Sequence, residues 1–174
     1  MKYQIRAGSL YAVIDGRTAG KLAFVQSPFY TEKQTILSPD GSGKLIAQVR
    51  TDGRPGTQGK EYVITDAQEQ IVVIGKPMCS EEENSDVDSE IMFPMSRMDT
   101  VRLEMNHTVF NLRMRNSQNY CLEDEKGQKK LEMIHNGITG GWTVETEDAI
   151  DPLILMGIFL FSRYLDKENQ YVVI

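Results

Sequence analysis

The chain has 174 residues, 40% hydrophobic and 25% charged, with a formal net charge of −6. That length suits one domain able to bury a core without disulfide staples. The negative charge repels nucleic-acid phosphates and anionic lipid headgroups at long range, so either partner would require a locally basic patch, and nucleic acid is not expected. Cys79 and Cys121, the two cysteines, make neither a disulfide framework nor a metal spacing. No basic segment followed by an apolar run opens the sequence, so a cytoplasmic protein is expected, and the glycosylation pattern Asn106-His107-Thr108 carries no weight.

Up to about residue 147 the pattern is strands and turns. Leu10, Ala12 and Ile14 alternate with Tyr11 and Val13, and Asp15-Gly16 supplies a turn before a return strand at 21–26. Strands at 34–38 and 44–51 flank Pro39-Asp40-Gly41-Ser42-Gly43. Tyr62-Val63-Ile64 and Ile71-Val72-Val73-Ile74 flank a hairpin connection at 66–70.

The sharpest expectation is a hairpin over 101–115 with Asn106-His107 as its two-residue loop. Met105 then faces Thr108, Leu103 faces Phe110 and Val101 faces Leu112. The large apolar groups fall on one face, and Arg102, Glu104, Asn111 and Arg113 fall on the other. A slip of one residue would scramble that separation, so the register is well specified. Strands at 120–123 and 130–135 flank Asp124-Glu125-Lys126-Gly127, and Trp142 to Glu145 adds a last strand after a glycine-rich turn.

The character then changes. Asp151 suits a helix N-cap and Pro152 the first helical position. Leu153 to Phe161 is an unbroken apolar run, too short for a membrane span of roughly 20 residues. A helix apolar all round is buried on every side, and in a chain otherwise built of strands its container is a closed or nearly closed sheet. The expected architecture is therefore mainly β (α+β), an antiparallel barrel around a helix at about 151–166. Leu153, Leu155, Met156, Gly157, Phe159 and Leu160 form the core helix, with Gly157 allowing close approach of the wall. One domain over 1–174 is expected, with the acidic segment 80–90 as a flexible loop.

Many short hairpins followed by one buried apolar helix resemble the tubby C-terminal-like superfamily. The run from Asp151 through Phe161, continuing to Tyr164-Leu165, is similar to the terminal helix of its scramblase-like and LURP-one-related branches. Turn units such as Ser38-Pro39-Asp40-Gly41 before Lys44-Leu45-Ile46-Ala47 are similar to that family's repeated hairpins. The resemblance implies about a dozen strands around the helix. It also implies a class whose tubby members bind phosphoinositide headgroups through basic residues, though it assigns that site to no position here. The palmitoylated cysteine-rich segment of scramblases has no counterpart, and 170–174 extends past the point where the family's helix usually ends.

Candidate chemistry is sparse. Arg102, Arg113 and Arg115 share one outer face, near Arg97 in sequence, and guanidinium groups grip phosphate or carboxylate bidentately. The plain alternative is a solvated strand face, partly neutralised by Glu104 or Asp99. Asp86, Asp88 and Glu90 alternate as oxygen ligands for calcium would, without the loop spacing a calcium motif requires; a solvated loop is the simpler reading. A nucleophilic Cys79 or Cys121 with His107 or His135 is disfavoured by the acids after Cys79 and by the strand setting of Cys121. The glycine-rich stretches lack phosphate-loop and dinucleotide patterns, so no cofactor is expected. Trp142 reads as a core or wall residue. The expected function is a non-catalytic binding or scaffold module for a protein partner or an anionic, phosphoinositide-like headgroup. A scramblase-like lipid-associated protein is the alternative, and an enzyme is a more distant one.

Overall fold

The computed structural model describes residues 1–27, 31–53, 59–79, 98–116 and 118–170. Twelve antiparallel strands close into one barrel in the order β1-β12-β11-β10-β9-β8-β7-β6-β5-β4-β3-β2. They are β1 Lys2–Arg6, β2 Ser9–Ile14, β3 Arg17–Val25, β4 Lys33–Leu37, β5 Lys44–Thr51 and β6 Lys60–Thr65, then β7 Ile71–Met78, β8 Thr100–Met105, β9 Thr108–Met114, β10 Tyr120–Asp124, β11 Lys129–His135 and β12 Trp142–Thr146. Helix α1, Pro152–Gln170, follows β12. Every strand pairs with its sequence neighbour, and β1 closes the ring against β12. The mainly β class and the barrel around a C-terminal helix are thus as the sequence led one to expect.

Local chemistry sets the hairpins. Val101 faces Leu112, Leu103 faces Phe110 and Met105 faces Thr108, the register read from the sequence. Asn106 and His107 both hold positive φ, at 51° and 60°, which is the backbone a two-residue hairpin demands. Two other turns share a device that the sequence reading passed over. Asp66 Oδ1 accepts from the backbone N–H of Gln68 and Gln70, and Asp124 Oδ1 accepts from Lys126 and Gln128, all at 2.9 Å. Each carboxylate replaces the turn's missing backbone acceptors.

The inward residues of the strands, among them Ile5, Leu10, Ile36, Ile64, Val73, Leu112, Leu122 and Val144, are buried around α1. Asp151 caps the helix, its Oδ1 accepting from Leu153 N at 2.8 Å and Ile154 N at 3.2 Å. Leu155, Met156, Phe159 and Leu160 are fully buried, whereas Leu153, at the barrel rim beside Gly43, is half-buried. A Cβ on Gly157 would lie 2.3 Å from Ile64 Cδ1, so the glycine is what lets β6 approach the helix. Gly75 does the reciprocal service on the wall, where a Cβ would meet Val101, Leu103 and the Phe161 ring.

Boundaries shift by a residue or two in several strands, and by more where β3 starts at Arg17 rather than 21 and β7 runs on to Met78 rather than Ile74. The helix runs to Gln170 rather than about 166, giving 19 residues and a length of about 28 Å. Strand β1 lies upstream of the first strand recognised in the sequence. Its Tyr3 and Ile5 face inward, and it pairs with β2 across the two-residue loop Ala7-Gly8, both residues at positive φ, as well as with β12 about 140 residues away. The helix enters at the end holding the turns 15–16, 38–43, 66–70, 106–107 and 124–128, and exits at the other.

Candidate functional site

Residues directly opposite each other on antiparallel strands stand about 4.5–5.5 Å apart, so the outer wall can be read in rows that cross the strands. One row crosses β6 to β10 and holds Glu61, Lys76, Arg102, Asn111 and Glu123. Lys76 stands directly opposite Arg102. Such like-charged neighbours destabilise a sheet unless something negative joins them. Glu61 reaches the Lys76 ammonium at 3.6 Å, across an ion pair whose lysine is 68% exposed. No ion pair to Arg102 is made among the described residues.

Arg113 and Arg115 are differently placed. Glu123 takes both: its Oε2 is 3.2 Å from Arg113 Nε, and its Oε1 pairs with Arg115 Nη2. The Glu123 side chain is only 14% exposed, so it is a fixed counter-charge. Arg102, Arg113 and Arg115 therefore do share the outer wall, with Asn111 opposite Arg102 and Arg113 one pleat further on. Of the three, Arg102 alone has no described carboxylate. The neutralising acid is Glu123, from the next strand, rather than Glu104 or Asp99. Cys121 lies beneath this cluster, opposite Arg113 and 1% exposed, and burial pushes its thiol pKa up. A thiol held protonated in this way is a poor nucleophile.

A second row crosses β1, β12, β11, β10 and β9 and holds Lys2, Glu145, Glu132, Cys121 and Arg113. Here the like-charged pair is acidic, with Glu132 directly opposite Glu145. Each carboxylate leans on a lysine at its flank, Glu145 on Lys2 at 2.9 Å and Glu132 on Lys129 at 2.8 Å. The hydrogen bond from Lys2 holds the Glu145 carboxyl below its ordinary range. The two glutamates line an open groove of about 430 Å³ together with Lys2, Lys129, Lys130, Leu131 and Thr146. That volume falls within the range of small-ligand and side-chain pockets, roughly 300–1,000 Å³.

The exit mouth of the helix gathers the remaining polar groups. The Arg163 guanidinium sits 4.7 Å from the Trp142 ring centroid, 5.4 Å from Tyr120 and 5.5 Å from Phe159. Its side chain is 9% exposed, and Asp166 lies at 3.8 Å. Trp142 also stacks on His135, with centroids 4.7 Å apart. Lys60 Nζ donates to both carboxylate oxygens of Glu168 at 2.7 Å, and Asn169 Nδ2 donates to Met98 O at 2.7 Å. Among the described residues, Arg163 Nη2, Tyr62 Oη and Asn169 Oδ1 are buried without a hydrogen-bond partner. Arg163 was not among the residues the sequence singled out. The spacing of Phe159 and Arg163, four residues apart and so on one helix face, was the available signal.

Asp86, Asp88, Glu90, Arg97 and the tail 171–174 lie outside the described residues. Among those described, no group of three or more potential metal ligands comes together, and no helix is long and apolar enough to cross a membrane. No protein-family model, no curated protein and no solved structure matches the chain.

Proposed function

We propose that this chain is a non-catalytic, tubby-like binding module that accepts an anionic group of a partner on the outer wall of β7, β8 and β9. The observation that carries the reading is the Lys76–Arg102 pair, two cations placed directly opposite each other on the wall. An incoming carboxylate or phosphate relieves their repulsion, and the Arg102 guanidinium supplies two parallel donors to it. Asn111, opposite Arg102, adds an amide donor.

Two features support binding over catalysis. The barrel interior, where other barrels hold a ligand, is packed with the side chains of α1. The Cys121 thiol is buried, and burial pushes its pKa up. The closed barrel around a C-terminal helix supports the tubby-like class. The net charge of −6 favours a compact acidic patch on a protein over an extended anionic bilayer, which would repel the molecule as a whole.

Binding of an acidic glutamate-rich peptide, at low and moderate salt, tests the reading, with phosphoinositide vesicles in a parallel arm. Peptide binding should weaken with salt, vanish in a Lys76→Glu/Arg102→Glu variant and survive in Arg115→Glu, whose partner Glu123 already holds it. Vesicle binding with the same mutational pattern would identify a lipid headgroup as the anion. Failure of both probes at low salt in a chain that also stays monomeric, or binding indifferent to Lys76 and Arg102, would sink the proposal.

A further inference from the structure

The two rows of the outer wall are charge complements at the same strand spacing. Crossing β6, β7, β8, β9 and β10, the first reads acid, base, base, neutral, acid: Glu61, Lys76, Arg102, Asn111, Glu123. Crossing β1, β12, β11, β10 and β9, the second reads base, acid, acid, neutral, base: Lys2, Glu145, Glu132, Cys121, Arg113. Each contains one like-charged pair of direct neighbours, and the two pairs are of opposite sign.

From this complementarity we infer that the occupant of the basic pair is a second copy of this chain, with Lys76 and Arg102 of one molecule seated on Glu132 and Glu145 of the next. The inference rests on the reading of Lys76 and Arg102 as an anion-accepting pair and names what they accept. Shape agrees with charge. Two convex barrel walls make poor contact, but the acidic pair lines a groove of about 430 Å³, shared with Lys2, Lys129 and Lys130; Lys130 is held by Asp148 and Asp124, and an incoming lysine and arginine take the places of Lys2 and Lys129. The lysines now holding Glu132 and Glu145 form exposed ion pairs, of a kind that contributes little and exchanges readily. Bringing the four groups together removes two like-charge repulsions at once.

The geometry of such a contact follows from the strand order. The basic pair lies on β7 and β8 and the acidic pair on β11 and β12, so a molecule uses different surfaces toward its two neighbours. That is a head-to-tail contact, which extends into chains or closes into a ring. Its small, charged area makes it weak and salt-sensitive, and the net charge of −6 opposes it at long range.

Sedimentation equilibrium of the full chain across a salt series is the test. Association should be present at low salt, with the apparent Kd rising ~10-fold or more on going to moderate salt. Lys76→Glu/Arg102→Glu should abolish it, and so should Glu132→Lys/Glu145→Lys. Mixing those two variants should restore it, since each then offers the charge the other lacks. The neutral variants Arg102→Gln and Glu145→Gln, each expected to weaken association several-fold, keep the test decisive if a charge reversal disturbs folding. A wild-type chain that stays monomeric at low salt overturns the inference, as does a mixture no more associated than either variant alone. A monomeric chain that still binds acidic peptide through Lys76 and Arg102 removes the second copy and leaves the anion-binding reading standing. Self-association that follows the charge-swap pattern while peptide and vesicles fail leaves the second copy as the anion.

Discussion

Two stretches of α1 lie in the same barrel and obey different chemistry. From Leu155 to Phe161 the helix is dry: Leu155, Met156, Ile158, Phe159, Leu160 and Phe161 are fully buried among apolar neighbours, and Gly157 presses on Ile64. From Ser162 to Asn169 it is packed as closely in places yet carries a guanidinium, two carboxylates and an amide, with two of the three unpartnered buried atoms of the described residues on this stretch and the third on Tyr62 beside it. The first stretch makes the core. The second fixes where the helix leaves the barrel, and its unpartnered buried atoms forgo the hydrogen bonds water would give them.

The most severe way to test that contrast is a charge in the dry stretch. Ile158→Asp places a carboxylate where no partner exists, at a cost of several kcal/mol against a total stability of about 5–15 kcal/mol. The expected outcome is loss of the cooperative thermal transition seen by circular dichroism. Gly157→Ala is gentler but in the same place. Its Cβ would lie 2.3 Å from Ile64 Cδ1, and the repacking should cost about 1–3 kcal/mol, read as a lower urea midpoint with an unchanged slope.

At the exit, Arg163 separates packing from charge. Arg163→Ala removes the stem that fills the space between Tyr120, Trp142 and Phe159 and should cost about 2 kcal/mol. Arg163→Met keeps that volume and discards a buried charge with an unsatisfied Nη2, so its denaturation midpoint should correspond to within about 1 kcal/mol of wild type. A methionine variant as unstable as the alanine variant would show that the charge matters. The tyrosines offer a finer version. Tyr164 Oη donates to Ala47 O at 3.2 Å, so Tyr164→Phe should cost about 1 kcal/mol. Tyr62 Oη has no partner among the described residues, so Tyr62→Phe should be neutral or slightly stabilising. Equal losses in the two would erase the distinction.

The smallest expected effect lies at the entry end. Hydrogen bonds from Ser38 and Ser42 lower the Asp40 carboxyl from 3.8 to about 2. Because the folded value is the lower one, the contribution is complete above pH 3.8 and fades as pH falls through about 2. The Ser42 amide, which donates to Asp40 Oδ1 at 3.0 Å, should lose hydrogen-exchange protection across that window. In Asp40→Asn the acid dependence should disappear.

How far the sequence anticipated all this varied with the range of the interaction. The β8–β9 register was legible because apolar and charged residues alternate without a fault and Asn106-His107 marks the turn. The core helix was legible because Leu153 to Phe161 admits no polar stripe. Strand β1 was passed over because Tyr3 and Ile5 are its only apolar residues; Ala7-Gly8 turns it locally onto β2, while its other partner, β12, lies far along the chain. The helix's last residues escaped because Lys60 of β6 and Met98, just ahead of β8, which anchor Glu168 and Asn169, lie far away in sequence. The arginine wall was half legible. The hairpin pattern placed Arg102 and Arg113 on one face, but neither Glu123 under Arg113 and Arg115 nor Lys76 beside Arg102 follows from that pattern. Both depend on which strands lie next to the hairpin.

The pairing of Tyr3 with Val144 sets a condition on the order in which this molecule can assemble. Neighbouring hairpins form locally and early, but the ring shuts only when the first strand meets the twelfth, so β1 and β12 present bare edges until that encounter. Loop closure over so long a segment is slow, and α1 follows β12, so the helix that fills the interior leaves the ribosome after all twelve strands. During synthesis, therefore, a nearly complete curved sheet must wait with an unfilled apolar lining and two open edges. The barrel's exposure to aggregation and to chaperones is greatest after β12 has emerged and before α1 has followed it.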